Sequence, residues 1–129
     1  MNGSVLLDTN IVIGLFAKDQ AVVTRLSQVN HVFLSSIVLG ELYFGAYKSA
    51  HPDENGRRID ELASAGAVLV CDATTATHYG RIKTALREKG RPLPENDIWI
   101  AAVAQQHGLT VVSRDQHFKE VENLPVEVW

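Results

Sequence analysis

An α/β fold built on a mostly parallel sheet is predicted by three observations. Short apolar runs recur at residues 5–7, 32–34, 67–71 and 109–112. Stretches with apolar residues at helical spacing separate them, the alternation expected of parallel strands joined by right-handed crossovers. Acidic residues stand just past the first and last runs, at Asp8 and Asp115, where open α/β sheets gather ligands.

The elements follow in order. The run at 5–7 is apolar without alternation, as a strand covered on both faces would be. A short helix can begin at Asn10 and run to Phe16. Residues 18–29 carry Ala21, Val22, Leu26 and Val29 at helical spacing. A second strand spans 32–34, and Ser35-Ser36 offers an N-cap to a helix over 37–50. Pro52 suits the first turn of the next helix, 53–65, which Gly66 ends. A third strand covers 67–71. Asp72, or a threonine after it, caps a long helix over 73–89, closed by Gly90. After the loop Arg91-Pro92-Leu93-Pro94, a helix runs from Glu95 to His107 and stops at Gly108. A fourth strand covers 109–112, a short helix 115–120, and 126–128 follows Pro125 as a last edge strand. The expectation is a central parallel sheet of four to five strands flanked by helices.

The chain has 129 residues, 46% hydrophobic and 21% charged, which suits a single domain over 1–129. It shows no repeat, low-complexity segment or linker. No apolar run approaches the ~20 residues needed to cross a bilayer. Residues 1–4 have no basic region and no signal-peptide core, so a cytoplasmic location is expected. The one cysteine, Cys71, allows no internal disulfide; its apolar run places it in the core. A net charge of −3 argues against a binder that works by bulk positive charge. It leaves room for a nucleic-acid enzyme, because carboxylates loaded with divalent cations present a positive face to phosphate.

Four of the fifteen carboxylates stand in unusual surroundings. Asp8 ends an apolar strand. Glu41 shares a helix face with Ile37, Phe44 and Gly45, so it points inward or into a cleft. Asp97 is followed at helical spacing by Ile100, Ala101 and Ala104. Asp115 follows the fourth strand. Each has an ordinary reading: capping for Asp8 and Asp115, helix-start electrostatics for Asp97, a salt-bridged rim position for Glu41. Capping alone accounts for Asp72. No basic residue is placed locally to pair with the four, and such a group repels itself unless cations neutralise it. Clustered carboxylates with hydroxyl and amide neighbours suit Mg²⁺ or Mn²⁺.

The segments around these acids resemble the PIN-domain nuclease family, and in particular the VapC toxins of bacterial and archaeal toxin–antitoxin pairs. Four stretches carry the resemblance, in the expected order: Leu7-Asp8-Thr9-Asn10; Ser35-Ser36 with Glu41-Leu42-Tyr43-Phe44-Gly45; Asn96-Asp97-Ile98-Trp99-Ile100-Ala101-Ala102; and Val111 to Phe118. The resemblance implies a Rossmann-like sheet, an acidic metal site and metal-dependent cleavage of RNA. By position it carries over Asp8, Glu41, Asp97 and Asp115 as the acidic set, Ser113 before the last acid, and Thr9 and Asn10 as neighbours. It also implies a small antitoxin protein as partner and a homodimer.

A mechanism can be expected on that basis. Asp8 and Asp97 hold a principal metal. Glu41 completes its surroundings or takes the proton from the attacking water. Asp115 holds a second metal or orients a water, and Ser113 hydrogen-bonds behind them. Arg91 and Arg114 are candidates for phosphate contact, with Lys48, Arg57 and Arg58 at the rim. The five histidines show no metal-ligand spacing and read as structural or solvent-facing; Trp99 reads as core or subunit interface. Three other classes compete. An aspartate-nucleophile phosphatase of the haloacid-dehalogenase type would need an acid where Asn10 stands. A signalling receiver would need an acidic neighbour for Asp8 and a lysine where the last strand ends in Ser113-Arg114. A non-catalytic PIN-like RNA-binding module would have no use for four acids.

Overall fold

The computed structural model describes residues 3–129; Met1 and Asn2, part of the leader reading above, lie outside them. Its sheet has five strands: β1 (Ser4–Leu7), β2 (His31–Ser35), β3 (Ala67–Leu69), β4 (Thr110–Ser113) and β5 (Val126–Val128). All neighbours pair in parallel, in the order β3-β2-β1-β4-β5. The predicted parallel sheet flanked by helices is therefore the observed one. The chain moves outward from β1 through β2 to β3, then returns to the other side of β1 as β4. That reversal makes the carboxyl ends of β1 and β4 the switch point of the sheet, where a crevice opens.

The central strand explains the uninterrupted apolar run. Val5, Leu6 and Leu7 are at most 1% exposed, because helices cover the sheet and strands flank β1 on both sides. The register sets Leu7 opposite Val112, so the residues just beyond, Asp8 and Ser113, emerge side by side.

The helices are α1 (Thr9–Phe16), α2 (Gln20–Leu26), α3 (Ser36–Tyr47), α4 (Pro52–Ala65), α5 (Ala73–Glu88) and α6 (Glu95–His107). Ser35 caps α3 through the Val38 N–H at 3.1 Å. Asp72, one of the two cap candidates, caps α5, and does so in a reciprocal box with Thr75. The sequence expectation of a helix over 18–29 is corrected: Lys18 has φ +58° and Asp19 accepts from the Ala21 and Val22 N–H groups, so α2 starts only at Gln20. Helix α6 is packed almost all round, with Ile98 and residues 100–104 buried. Its alanines let it lie close to the sheet.

Cys71 does not lie in the core. Strand β3 is an edge strand that pairs with β2 alone among the described residues, and the pairing ends with Ser35 opposite Leu69 because the chain turns into α3 there. Val70 and Cys71, left without a partner strand, are exposed. The apolar run is longer than the sheet it feeds.

Candidate active site

Asp8 is 4% exposed and occupies two roles that the sequence presents as alternatives. It caps α1, with Oδ1 accepting from the Thr9 N–H at 2.8 Å. It also faces the crevice, with Oδ2 accepting from the Ser113 hydroxyl at 2.7 Å. Its own N–H donates to the Val112 carbonyl at 2.9 Å, fixing the residue to the end of β4.

Ser113 is the hub. Fully buried, its hydroxyl gives its proton to Asp8 and accepts from the Asn10 amide at 3.3 Å and the Asp115 N–H at 2.9 Å. A hydroxyl has one donor and two acceptor positions, so Ser113 is saturated. Asn10 completes the brace by accepting from the Arg114 N–H at 3.1 Å. The expected neighbours Thr9, Asn10 and Ser113 thus form a hydrogen-bonded frame around Asp8. Thr9 extends it by donating its hydroxyl to Glu41 at 2.8 Å.

Asp8, Glu41, Asp97 and Asp115 all line one open cleft of about 590 Å³, with Thr9, Asn10, Ile13, Pro94, Glu95 and Asn96. Four elements converge there: the end of β1, the middle of α3, the first turn of α6 and the loop after β4. Asp115 makes no side-chain capping bond, so the capping reading fails for it. Glu95 also reaches the cleft, but Lys83 at 3.0 Å and the Tyr79 hydroxyl hold its carboxylate.

Burial pushes the Asp8 carboxyl above its ordinary value, and the charges of Glu41 and Asp115 add to it; the bonds from Ser113 and Thr9 work the other way. Burial also raises Asp97, followed by the nearby Asp8 charge, with His117 opposing. A raised folded pKa means the folded state binds more protons than the unfolded one. Stability should then fall as pH rises from about 3.8 through the raised values. Asp19, Asp72 and Glu95 are lowered by hydrogen bonds and act in the opposite sense on the acid side. Thermal melts in chelator, comparing wild type with Asp97→Asn, separate the two: the variant's advantage should grow as pH rises above about 3.8 and level off above the raised Asp97 value. An advantage constant with pH would contradict the assignment.

Sequence reasoning missed His117. Its Nε2 lies 2.8 Å from Asp97 Oδ2, so this partly exposed histidine is paired with a carboxylate of the cleft. It also corrects the expectation that no basic residue stands beside the acids. The signal was its place two residues past Asp115, where the 3₁₀ turn Gln116–Glu120 bends back toward the cleft. The arginines expected near phosphate lie elsewhere. Arg91 is exposed, with Nε 3.9 Å from Glu120. The Arg114 guanidinium is paired with Asp19 at 2.7 Å, bracing the α1–α2 turn against β4. Neither lines the cleft. Arg58 is tied to the Phe16 carbonyl at 2.7 Å and lies over its ring. Trp99 is half-buried and stacks on Tyr79 with ring centroids 4.0 Å apart.

A parallel sheet of this order, with four acids at its switch point, is the architecture of a PIN domain. Residues 5–124 match the PIN domain family model, and the chain belongs to that family. The particular relatives are VapC proteins. Ribonuclease VapC2 of Haemophilus influenzae is 38% identical over 127 residues, covering 96% of each chain. The tRNA(fMet)-specific endonuclease VapC of Shigella flexneri is 37% identical with the same coverage. Among solved structures, VapBC2 from Rickettsia felis bound to a DNA fragment from their promoter superposes with TM-score 0.90 at 30% identity, over 98% of each chain.

Proposed function

We propose that this chain is an endoribonuclease, the toxin of a VapBC-type pair, and that it works with Mg²⁺ or Mn²⁺. The observation that carries the reading is the convergence of Asp8, Glu41, Asp97 and Asp115 on one cleft. The ribonuclease names of the relatives and the VapBC complexes among the structural neighbours support it.

The donor set fits a hard cation that keeps part of its water. Among the described residues no group of three His, Cys, Asp or Glu side chains is gathered to hold a metal by itself. Mg²⁺ does not require one; it is commonly held by one or two carboxylates, with waters and phosphate oxygens completing its octahedron. Asp8 and Asp97 would hold it, and Glu41 and Asp115 would bind through water or hold a second ion. Such an ion lowers the proton affinity of a bound water and offsets the charge that builds on the phosphoryl oxygens.

The chain's own residues do the rest. Ser113 and the Thr9 N–H aim the Asp8 carboxylate. His117 fixes one oxygen of Asp97 and leaves the other free. Glu41, oriented by Thr9, is the base for the attacking water. His117→Ala should weaken the Mn²⁺-induced rise in melting temperature and raise the Mn²⁺ concentration for half-maximal cleavage, roughly 10–100-fold. His117→Gln, which keeps a donor, should recover part of it. Equal Mn²⁺ responses in all three proteins would exclude that role.

The unit is a single domain, its partners an antitoxin, RNA and a second copy of itself. No helix in the described residues is long and apolar enough to cross a membrane. A cytoplasmic location fits an RNA substrate. The deciding experiment is mapping of RNA 5′ ends after brief expression of wild type and Asp97→Asn. New ends at a defined site in wild type alone support the reading; identical profiles end it.

A further inference from the structure

Beside the acidic cleft lies a second, shallower slot of about 370 Å³, lined by Ser36, Ile37, Gly40, Glu41 and Phe44 of α3 and by Asn96 at the start of α6. The two spaces share Glu41 and Asn96. A phosphodiester in the cleft has a nucleoside on either side, and the slot opens next to that cleft.

Three features of the slot are not explained by packing of the core. Phe44 is 66% exposed, so its ring packs little core. Gly40 sits in mid-helix, where glycine is unfavourable relative to alanine. Its φ is not positive and no atom lies within 4 Å of where its Cβ would be, so neither backbone nor packing demands it. Its effect is to keep the space between Glu41 and Phe44 open. Finally, the Ser36 hydroxyl and the Asn96 side-chain amide make no hydrogen bond among the described residues. The Lys48 ammonium lies over one face of the Phe44 ring, 4.5 Å from its centroid, which leaves the other face for a stacked base.

The geometry points to a nucleobase subsite: the base flanking the scissile phosphate stacks on Phe44, and Asn96 and Ser36 read its polar edge. An aromatic face with a nearby cation is how proteins hold single-stranded nucleic acid, and an amide and a hydroxyl can each donate and accept to a base edge. Lys48 is positioned for the next phosphate. A peptide side chain would gain as much from Phe44 alone; continuity with the cleft favours the nucleotide. This inference rests on the ribonuclease reading and adds what sets its nucleotide preference.

The test compares cleavage of a short RNA spanning the mapped cut site with that of the same RNA lacking the base on one or the other side of the cut. Wild type should lose about 10-fold in kcat/KM when one of the two bases is removed. Phe44→Ala should lose a similar factor on intact RNA, be indifferent to removal of that base, and melt with the wild type. Phe44→Trp should retain activity. Asn96→Ala and Gly40→Val should change which base is preferred there or block it. The subsite is overturned if wild type tolerates both abasic substrates, or if Phe44→Ala keeps full kcat/KM, including the case where it loses only affinity for a protein partner. A wild type no more active than Asp97→Asn sinks the ribonuclease reading itself, and this inference with it.

Discussion

Asp97→Asn and Asp8→Asn should both abolish RNA cleavage, by roughly 10²–10⁴-fold or more, and yet part company in stability. At Asp97 the change removes a half-buried charge that burial and the Asp8 carboxylate disfavour. The remaining oxygen can still accept from His117, as Oδ2 does at 2.8 Å, and the new –NH₂ can turn to the cleft. We expect a gain of about 0.5–2 kcal/mol in the metal-free protein, a rise of several degrees in Tm. At Asp8 both oxygens accept hydrogen bonds, one from the Thr9 N–H and one from the Ser113 hydroxyl. An amide has one such oxygen. Its –NH₂ must therefore face either the Thr9 N–H or a serine whose acceptor positions Asn10 and Asp115 already fill. Leaving that donor unmet costs about 1–3 kcal/mol, which offsets the relief of charge. Melting curves in chelator check the contrast. If Asp8→Asn gains as much Tm as Asp97→Asn, the two-acceptor role of Asp8 is wrong.

Ser113→Ala should be the most damaging change that removes no carboxylate. It deletes the donor to Asp8 and the acceptor shared by Asn10 and the Asp115 N–H, in a fully buried place. A loss of about 2–3 kcal/mol follows from leaving buried partners unmet, together with a 10–100-fold fall in activity from the misaimed carboxylate. Ser113→Thr keeps the hydroxyl, so activity should survive if the added methyl finds room. Denaturant titration and RNA cleavage of both variants measure the two effects. An alanine variant with wild-type activity would show that Asp8 needs no such guide.

The parts of this molecule that were legible in the sequence are those with local causes. Uninterrupted apolar runs marked the strands, and the acids after β1 and β4 marked the edge where they meet. Asp72, between a strand and a long helix, announced itself as a cap, and the structure adds its reciprocal bond with Thr75. What could not be read depends on partners distant in sequence. Cys71 sits in a run that looks like strand interior, but only the length of β2 decides where β3 stops. His117 carries no ligand spacing, because its partner is Asp97, twenty residues earlier and on another element. Arg114 looked free for phosphate, and only the turn after α1 brings Asp19 to it. The dual role of Asp8 was visible as two competing readings; nothing local says that capping and facing the cleft use different oxygens of one carboxylate.

The bond between Ser113 and Asp8 joins residues 105 positions apart. The first strand thus receives its neighbour on the β4 side only after β2 and β3 have been made. A truncation that ends between residues 97 and 112 keeps Asp8, Glu41 and Asp97 but lacks the hydroxyl that aims the first of them. Three of the four acids of the proposed site thus precede in the chain the hydroxyl that orients one of them, and Asp115 alone follows it.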